Sequence, residues 1–328
     1  DKYKFRDKTA LDRARNMLED KILYYCFEQY EFFRQWKTIK EYAHKCGVGI
    51  FGDMPIYVMY DSVDVWAHPE LFQLNKDLKP ELVAGVPPDY FTKDGQLWEN
   101  PLYNYKNMKK DGYEWFIKRI EHNLKLYDKL RIDHFRGFYK YWAVDAAAKN
   151  AKEGQWLDGP KMEIWEKLKQ KIKNPDIVAE DLGIINEDVH NYVKQNKFSC
   201  MRVMQFAFDH DPANIHLPHN YYKDCVGYTA THDNDTTLGW LLTLDEHTRS
   251  YALNYVNCQN ISGWAAGGGD CPSTKAFIRS LISSSCDIAI IPMQDLCGYG
   301  GDTRMNTPGI AEGNWEYRAN YTAMENVD

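Results

Sequence analysis

The sequence lacks the patterns that mark several common classes of protein. No apolar run approaches the roughly 20 residues that a membrane-spanning helix needs, and no charged-then-apolar leader opens the chain. The eight cysteines include no C-x-x-C pair, and none of the ten histidines completes a zinc-binding pattern. We therefore expect reduced, mostly packed thiols, no metal site, no membrane partner and a cytosolic location.

An excess of basic charge is also missing. Lysine and arginine number 40 against 47 aspartates and glutamates, which gives a net charge of -7 without a basic stripe. Proteins that bind nucleic acid need such a stripe to neutralise phosphates, so we expect no nucleic-acid partner. The chain has 328 residues, of which 44% are hydrophobic, and so is long enough to bury a large core. These features support a folded catalytic domain.

Aromatic residues are abundant, with 10 Trp, 23 Tyr and 14 Phe. Most should lie in the core, but a sugar-binding groove also needs flat apolar rings against the faces of pyranoses. Composition alone does not choose between these two uses.

Short apolar runs alternate with helical segments along the chain. This alternation predicts an α/β fold with a parallel sheet and crossover helices. Helical spacing is present over residues 11–32, 36–46, 112–130 and 160–172. Six strands are predicted, at residues 48–53, 130–134, 177–180, 203–208, 226–229 and 288–293.

The strand count leaves two architectures open, because a closed (β/α)8 barrel requires eight strands. Either the sheet is open and doubly wound, or the first two βα units lie upstream of residue 1 in a longer protein. The Pro-rich and aromatic segment after residue 61 is too long for an ordinary connection. We expect residues 61–110 to form an inserted loop or small subdomain.

Three acidic residues follow apolar runs at positions where a buried strand would open into a loop. They are Asp133, Glu180 and Asp233. In a parallel barrel such strand ends share one rim, which is the active site. Each acid alone could instead cap a helix or pair with a cation, but three together are an unusual coincidence.

The first two acids suit glycosidic bond chemistry with retention, in which one carboxylate attacks and a protonated one donates, about 5 Å away. Arg131 lies two residues before Asp133 and could hold it ionised, whereas burial could raise the pKa of Glu180. His232 and Asp233 offer a donor and an acceptor for sugar hydroxyls. His134 could also reach a hydroxyl, or could be a satisfied structural residue.

These strings resemble the catalytic motifs of the 4-alpha-glucanotransferases, also called amylomaltase or disproportionating enzyme, of glycoside hydrolase family 77 in the alpha-amylase clan. The motifs are RIDHFRGF at 131–138, AEDLG at 179–183 and THDNDT at 231–236. The match runs in family order from about residue 47 to 318. Further matching strings lie at residues 52–58, 84–91, 96–98, 100–103, 217–221, 305–309 and 313–315.

The resemblance implies a (β/α)8 TIM barrel and three catalytic roles. Asp133 would be the nucleophile, Glu180 the general acid/base and Asp233 the stabiliser of an oxocarbenium-like transition state. The family builds two strands before the point where this chain begins, so we expect residues 1–328 to be one partial catalytic barrel domain that lacks the first two βα units.

The resemblance also implies binding residues. Asp53 matches the clan's first motif region, Arg131 the arginine beside the nucleophile, and His232 a residue that holds the donor sugar. Residues 84–103 match a loop over the cleft that carries Gln96 and Trp98 on the acceptor side. Loop packing is the alternative role for Trp98.

The implied function is transfer of α-1,4-glucan segments between maltooligosaccharides through a covalent glycosyl-aspartate intermediate. The partners would be maltooligosaccharides and α-1,4-glucans, and the chemistry implies no cofactor. The location would be the cytoplasm in a bacterium or the plastid in a plant. Two alternatives remain open, an α-glucan hydrolase of the same clan and a non-catalytic glucan-binding remnant.

Overall fold

The structure of the chain is a computed structural model that describes residues 1–88, 93–183, 187–310 and 312–325. The chain divides into two units, unit 1 over Asp1–Asn196 and unit 2 over Lys197–Asp328. In the described residues, no helix is both long enough and apolar enough to cross a membrane.

The last three helices of unit 1 are amphipathic and bury one apolar face, whereas the first two helices contain no buried residue. The helix α5 (Glu114–Leu126) buries Phe116, Ile117 and Ile120, which recur at helical spacing. The N-terminal region was predicted as one helix to residue 32 followed by another, but the break lies at Leu18, where no proline or glycine marks it. The helices are α1 Lys8–Met17, α2 Glu19–Lys45, α3 Val63–Ala67, α4 Tyr105–Met108, α5 Glu114–Leu126, α6 Met162–Lys171 and α7 Glu187–Asn196.

Unit 1 contains three adjacent parallel strands, and two of the three candidate acids come directly after them. The strands are β1 (Phe51–Met54), β4 (Lys129–Ile132) and β7 (Ile177–Ala179), in the order β1-β4-β7. Every residue of β7 is buried, so this strand appears in the sequence as an uninterrupted apolar run. Gly52 lies against Tyr127 so closely that a Cβ atom there would be 2.0 Å from the ring.

A second sheet in unit 1 was not predicted. It has four antiparallel strands, in the order β3-β2-β5-β6. Val83, Val144 and Ala151 form its small core. Two of its strands lie within residues 61–110, so this segment contains regular structure. The strands are β2 Leu82–Val86, β3 Gln96–Pro101, β5 Lys140–Asp145 and β6 Gln155–Asp158.

Unit 2 also contains three adjacent parallel strands, β8 (Ser199–Val203), β9 (Cys225–Tyr228) and β10 (Ile288–Ile290), in that order. The predicted strand at 203–208 was wrong, because the strand ends at Val203 and Met204–Phe206 form a 3-10 turn. The buried Arg202 interrupts the apolar pattern of β8, so the pattern did not predict a strand at these residues. The helices are α8 Thr237–Thr243, α9 Glu246–Tyr255, α10 Pro272–Ile282, α11 Met293–Leu296 and α12 Tyr321–Glu325.

Parallel strands and intervening helices in both units confirm the predicted α/β class. The closed barrel, the single-domain assignment and the position of residues 61–110 over a cleft remain predictions.

Candidate active site

An arginine shared by two carboxylates lies at the end of the unit 1 parallel strands. Asp53 of β1 is the register partner of Arg131 of β4. The guanidinium donates from Nη1 to Asp53 Oδ2 at 2.6 Å and from Nη2 to Asp133 Oδ1 at 2.7 Å. Its side chain is only 9% exposed, whereas those of Asp53 and Asp133 are 43% and 40% exposed. The buried cation thus orients two carboxylates that solvent can reach.

Glu180 lies beside this pair, immediately after β7. Its Oε2 accepts a hydrogen bond from the main-chain N–H of His134 at 2.8 Å, and its Oε1 accepts one from the N–H of Leu182 at 2.7 Å. The side chain keeps partial solvent contact but is densely surrounded by protein atoms. Burial, and then the negative charge of Asp133, raise the pKa of Glu180 to about 7. At neutral pH it can therefore both give and take a proton.

His134 directly follows the nucleophile candidate Asp133 and packs against the ring of Trp98. Its backbone has φ 45° and ψ 48°, which is the left-handed region. Burial lowers the pKa of the imidazole to about 4, so the ring is neutral at pH 7. The ring packs edge-on against Trp98, with 4.8 Å between the centroids.

Gln96 and Trp98, the two predicted acceptor-side residues, lie together on β3. The indole Nε1 donates to Gln96 Oε1 at 3.1 Å. The Trp98 ring also lies 6.1 Å from that of Tyr57, which in turn stacks on Tyr103. Trp98 is thus the partly exposed end of an aromatic row. Residues 89–92 of the predicted covering loop fall outside the described residues.

In unit 2, Asp233 follows β9 in the loop that leads to α8. Asn306 donates its amide to Asp233 Oδ1 at 2.6 Å, and Arg304 Nη2 donates to the main-chain carbonyl of Asp233 at 2.7 Å. His232 Nε2 lies 3.4 Å from Asp233 Oδ2. The ring of His232 in turn lies 5.2 Å from that of Trp315. These contacts hold the carboxylate of Asp233 in place.

The sequence predicted no role for Arg304, Asn306 or Trp315. The only signal was that two of them lie in strings, at 305–309 and 313–315, that match the family.

A buried carboxyl supports the loop that carries Asp233. Asp295 is 1% exposed and accepts hydrogen bonds from the hydroxyls of Thr229 and Thr237, at 2.6 and 2.7 Å. The main-chain N–H of Thr237 donates to its other oxygen at 2.7 Å. Thr229 precedes and Thr237 follows the loop, so Asp295 ties both ends together.

Neither unit offers a metal site among its described residues, because no three His, Cys, Asp or Glu side chains lie close enough to hold an ion.

Comparison with known proteins identifies the family. The family model described as 4-alpha-glucanotransferase matches residues 1–323. The chain belongs to the 4-alpha-glucanotransferase family. It is 42% identical over 325 residues to the 4-alpha-glucanotransferase of Clostridium butyricum, covering 98% of this chain and 65% of that protein. It is 44% identical over 326 residues to the chloroplastic/amyloplastic 4-alpha-glucanotransferase of Solanum tuberosum, covering 99% of this chain and 55% of that protein.

Two solved amylomaltase structures are similar to this chain in fold. The amylomaltase from Streptococcus agalactiae, in complex with acarbose, has a TM-score of 0.92 and 39% identity, covering 97% of this chain and 63% of that one. The amylomaltase from Corynebacterium glutamicum has a TM-score of 0.71 at 15% identity, covering 90% of this chain and 46% of that one, and supports the fold alone. This chain therefore spans less than two thirds of these relatives. The predicted family is confirmed.

Proposed function

We propose that the protein transfers α-1,4-glucan segments between maltooligosaccharides by a retaining double displacement. The observation that carries the proposal is the pair Asp133 and Glu180. One carboxylate is bonded to a buried guanidinium, and the other has a pKa raised to about 7. A nucleophile must be ionised and a proton donor must hold its proton, so the two carboxyls require environments that favour opposite protonation states.

In the first step, the Asp133 carboxylate attacks the anomeric carbon and the bond to the glycosidic oxygen breaks. Glu180 gives its proton to that oxygen, so the leaving glucan departs with a free hydroxyl. In the second step, Glu180 takes the proton of an acceptor 4-hydroxyl, which attacks the glycosyl-aspartate and releases Asp133. Retention further requires a separation near 5 Å between the two carboxyls.

Asp233 completes the proposed catalytic set as the stabiliser of the positively charged transition state. Its bond from Asn306 fixes one oxygen, which leaves the other beside His232 for sugar hydroxyls. Asp53 and Arg131 would hold the nucleophile in position, and His232 would hold the donor sugar. These roles rest on family membership together with the contacts within each unit.

The covering segment, residues 61–110, is proposed to supply the acceptor side with Gln96 and Trp98. The partly exposed indole of Trp98 is suited to stack on a pyranose. An acceptor held on such a ring would compete with water for the intermediate, which favours transfer over hydrolysis. We further propose that the protein's strands belong to a (β/α)8 barrel, as the TM-score of 0.92 to an amylomaltase supports.

Incubation with maltotriose tests this function. A transferase yields a ladder of longer oligosaccharides together with glucose, while the number of reducing ends stays constant. The Asp133→Asn variant should form neither the longer oligosaccharides nor glucose. Glucose and maltose with rising reducing ends would identify a hydrolase, and glucan binding without turnover would identify a binding protein. The location stays a prediction, cytoplasmic in a bacterium or plastidial in a plant, and the name of the Solanum tuberosum relative supports the latter for a plant source.

A further inference from the structure

The residue after the nucleophile candidate has a backbone conformation that few side chains adopt. His134 has φ 45° and ψ 48°, in the left-handed region where residues other than glycine are uncommon. The main-chain N–H of His134 donates to Glu180 Oε2 at 2.8 Å. Such a conformation at a site of chemistry indicates that the surrounding structure enforces it.

Ring packing and a main-chain turn surround His134. The imidazole lies edge-on against Trp98, 4.8 Å between centroids. On another side Gly137 leaves room for the ring, since a Cβ atom there would be 3.2 Å from His134 Cδ2. The carbonyl of His134 accepts the N–H of Gly137 at 2.9 Å. The turn bond to Gly137 therefore holds the main chain of residue 134, and the ring does not itself need to titrate.

We propose that His134 is a positioning residue, whose left-handed backbone, held in a turn with Gly137, aims a main-chain N–H at Glu180 and stabilises its carboxylate form. This rests on the proposed acid/base role of Glu180. A charged acceptor makes the bond stronger than one between neutral groups.

Other groups also set the ionisation of Glu180. Asp133 and Asp181 raise its pKa, while Arg131 and the N–H of Leu182 lower it. Arg136 also faces Glu180, whose negative charge acts on its guanidinium. Substitution of the His134 side chain leaves all of these groups in the chain. A difference in the titration of Glu180 between two variants that both lack the ring therefore reports on the backbone of residue 134.

The test compares two variants of similar size and opposite backbone preference. His134→Val introduces a β-branched residue, which disfavours the left-handed region, whereas His134→Asn introduces a residue that tolerates it. Carbon-13 NMR of labelled glutamate carboxyls, assigned with Glu180→Gln, gives the pKa directly. We expect His134→Val to raise the pKa of Glu180 by about one unit, as loss of one bond to a charged group would. His134→Asn should titrate as the wild type does.

The measured outcomes separate the possibilities. An equal rise in both variants would assign the effect to the lost ring, and no rise in either would mean that the N–H is irrelevant; each overturns the proposal. His134→Ala replaces His134→Val if the latter does not fold. Because the NMR readout needs no turnover, a protein inactive on maltotriose would refute the proposed function while leaving this measurement intact.

Discussion

At the scale of single residues, two neighbouring carboxyl groups of unit 1 differ in their partners. Asp133 accepts from a guanidinium at 2.7 Å, and Glu180 accepts from two main-chain N–H groups. Because burial raises the pKa of Glu180 to about 7, its protonated form is lost as pH rises through that value. The glycosylation rate should fall over the same range.

The role of Glu180 can be isolated with Glu180→Gln. Transfer between maltooligosaccharides should slow by roughly 100-fold or more, because neither step has its proton shuttle. Glycosylation by a glucosyl fluoride needs little acid assistance and should be spared, so the adduct on Asp133 should accumulate. Mass spectrometry locates the sugar, with Asp133→Asn as the control that forms no adduct. A sugar found on another residue would contradict both assignments.

The sequence predicted Asp133, Glu180 and Arg131 because each lies in or directly after a strand. It could not predict Arg304 and Asn306, whose bonds to Asp233 span 71 and 73 residues. A single sequence contains no record of such pairings. Asp295 was missed for the same reason, since its threonine partners lie 58 and 66 residues away.

At the scale of secondary-structure elements, β3 carries Trp98, the partly exposed end of the row of rings. We expect Trp98→Ala to raise the ratio of hydrolysis to transfer about fivefold, because it removes a stacking surface worth about 1 kcal/mol. Trp98→Phe keeps a ring and should change the ratio less. The measurement is reducing ends gained against longer oligosaccharides formed from maltotriose. An unchanged ratio with both rates intact would mean that Trp98 only packs.

The link between β9, α8 and α11 depends on Asp295. Asp295→Ala leaves three buried donors unpaired and should cost about 3 kcal/mol of unfolding free energy, whereas Asp295→Asn keeps an acceptor and should cost about 1 kcal/mol. Equal losses of unfolding free energy in the two variants would show that an amide oxygen does not replace the carboxyl as acceptor for these donors. Urea denaturation measures both.

Asp295 also predicts a pH dependence of the unfolding free energy, which the wild type and Asp295→Asn together can test. Burial raises the pKa of Asp295, so the folded state holds its proton more tightly than the unfolded state. The stability contributed by this group is therefore present at low pH and declines as pH rises from the ordinary aspartate pKa to the raised one. Asp295→Asn should lack this decline. The stability of the wild type relative to this variant should thus be greatest in acid.

Strands were predicted correctly where a run contained only apolar residues, and were missed or misplaced where polar residues interrupted the run. β7 was found because all of its residues are buried. The predicted position of β8 was too far along the chain, because the buried Arg202 interrupts its apolar pattern. The antiparallel sheet was missed because β3 and β6 carry polar residues on partly exposed faces.

At the scale of the whole molecule, all eight cysteines are free and most are buried. Burial raises the pKa of the thiols of Cys258 and Cys297, and low thiolate content slows reaction. We expect a thiol reagent to modify Cys26 and Cys46 quickly in the native 328-residue chain, and all eight in denaturant. Replacing both exposed cysteines by serine should remove the fast phase. A larger fast phase in the native protein would show that the core opens readily.

The shared guanidinium has a consequence for inhibitor design. Asp53 and Asp133 together carry one more negative charge than Arg131 neutralises. A sugar mimic with a protonated ring nitrogen would meet this excess charge where a neutral substrate does not. As pH rises through about 7, ionisation of Glu180 adds a further negative charge. Cationic iminosugars should therefore inhibit more tightly in mildly alkaline buffer than in acid, until their own nitrogen loses its proton, whereas neutral lactone mimics should not share this trend.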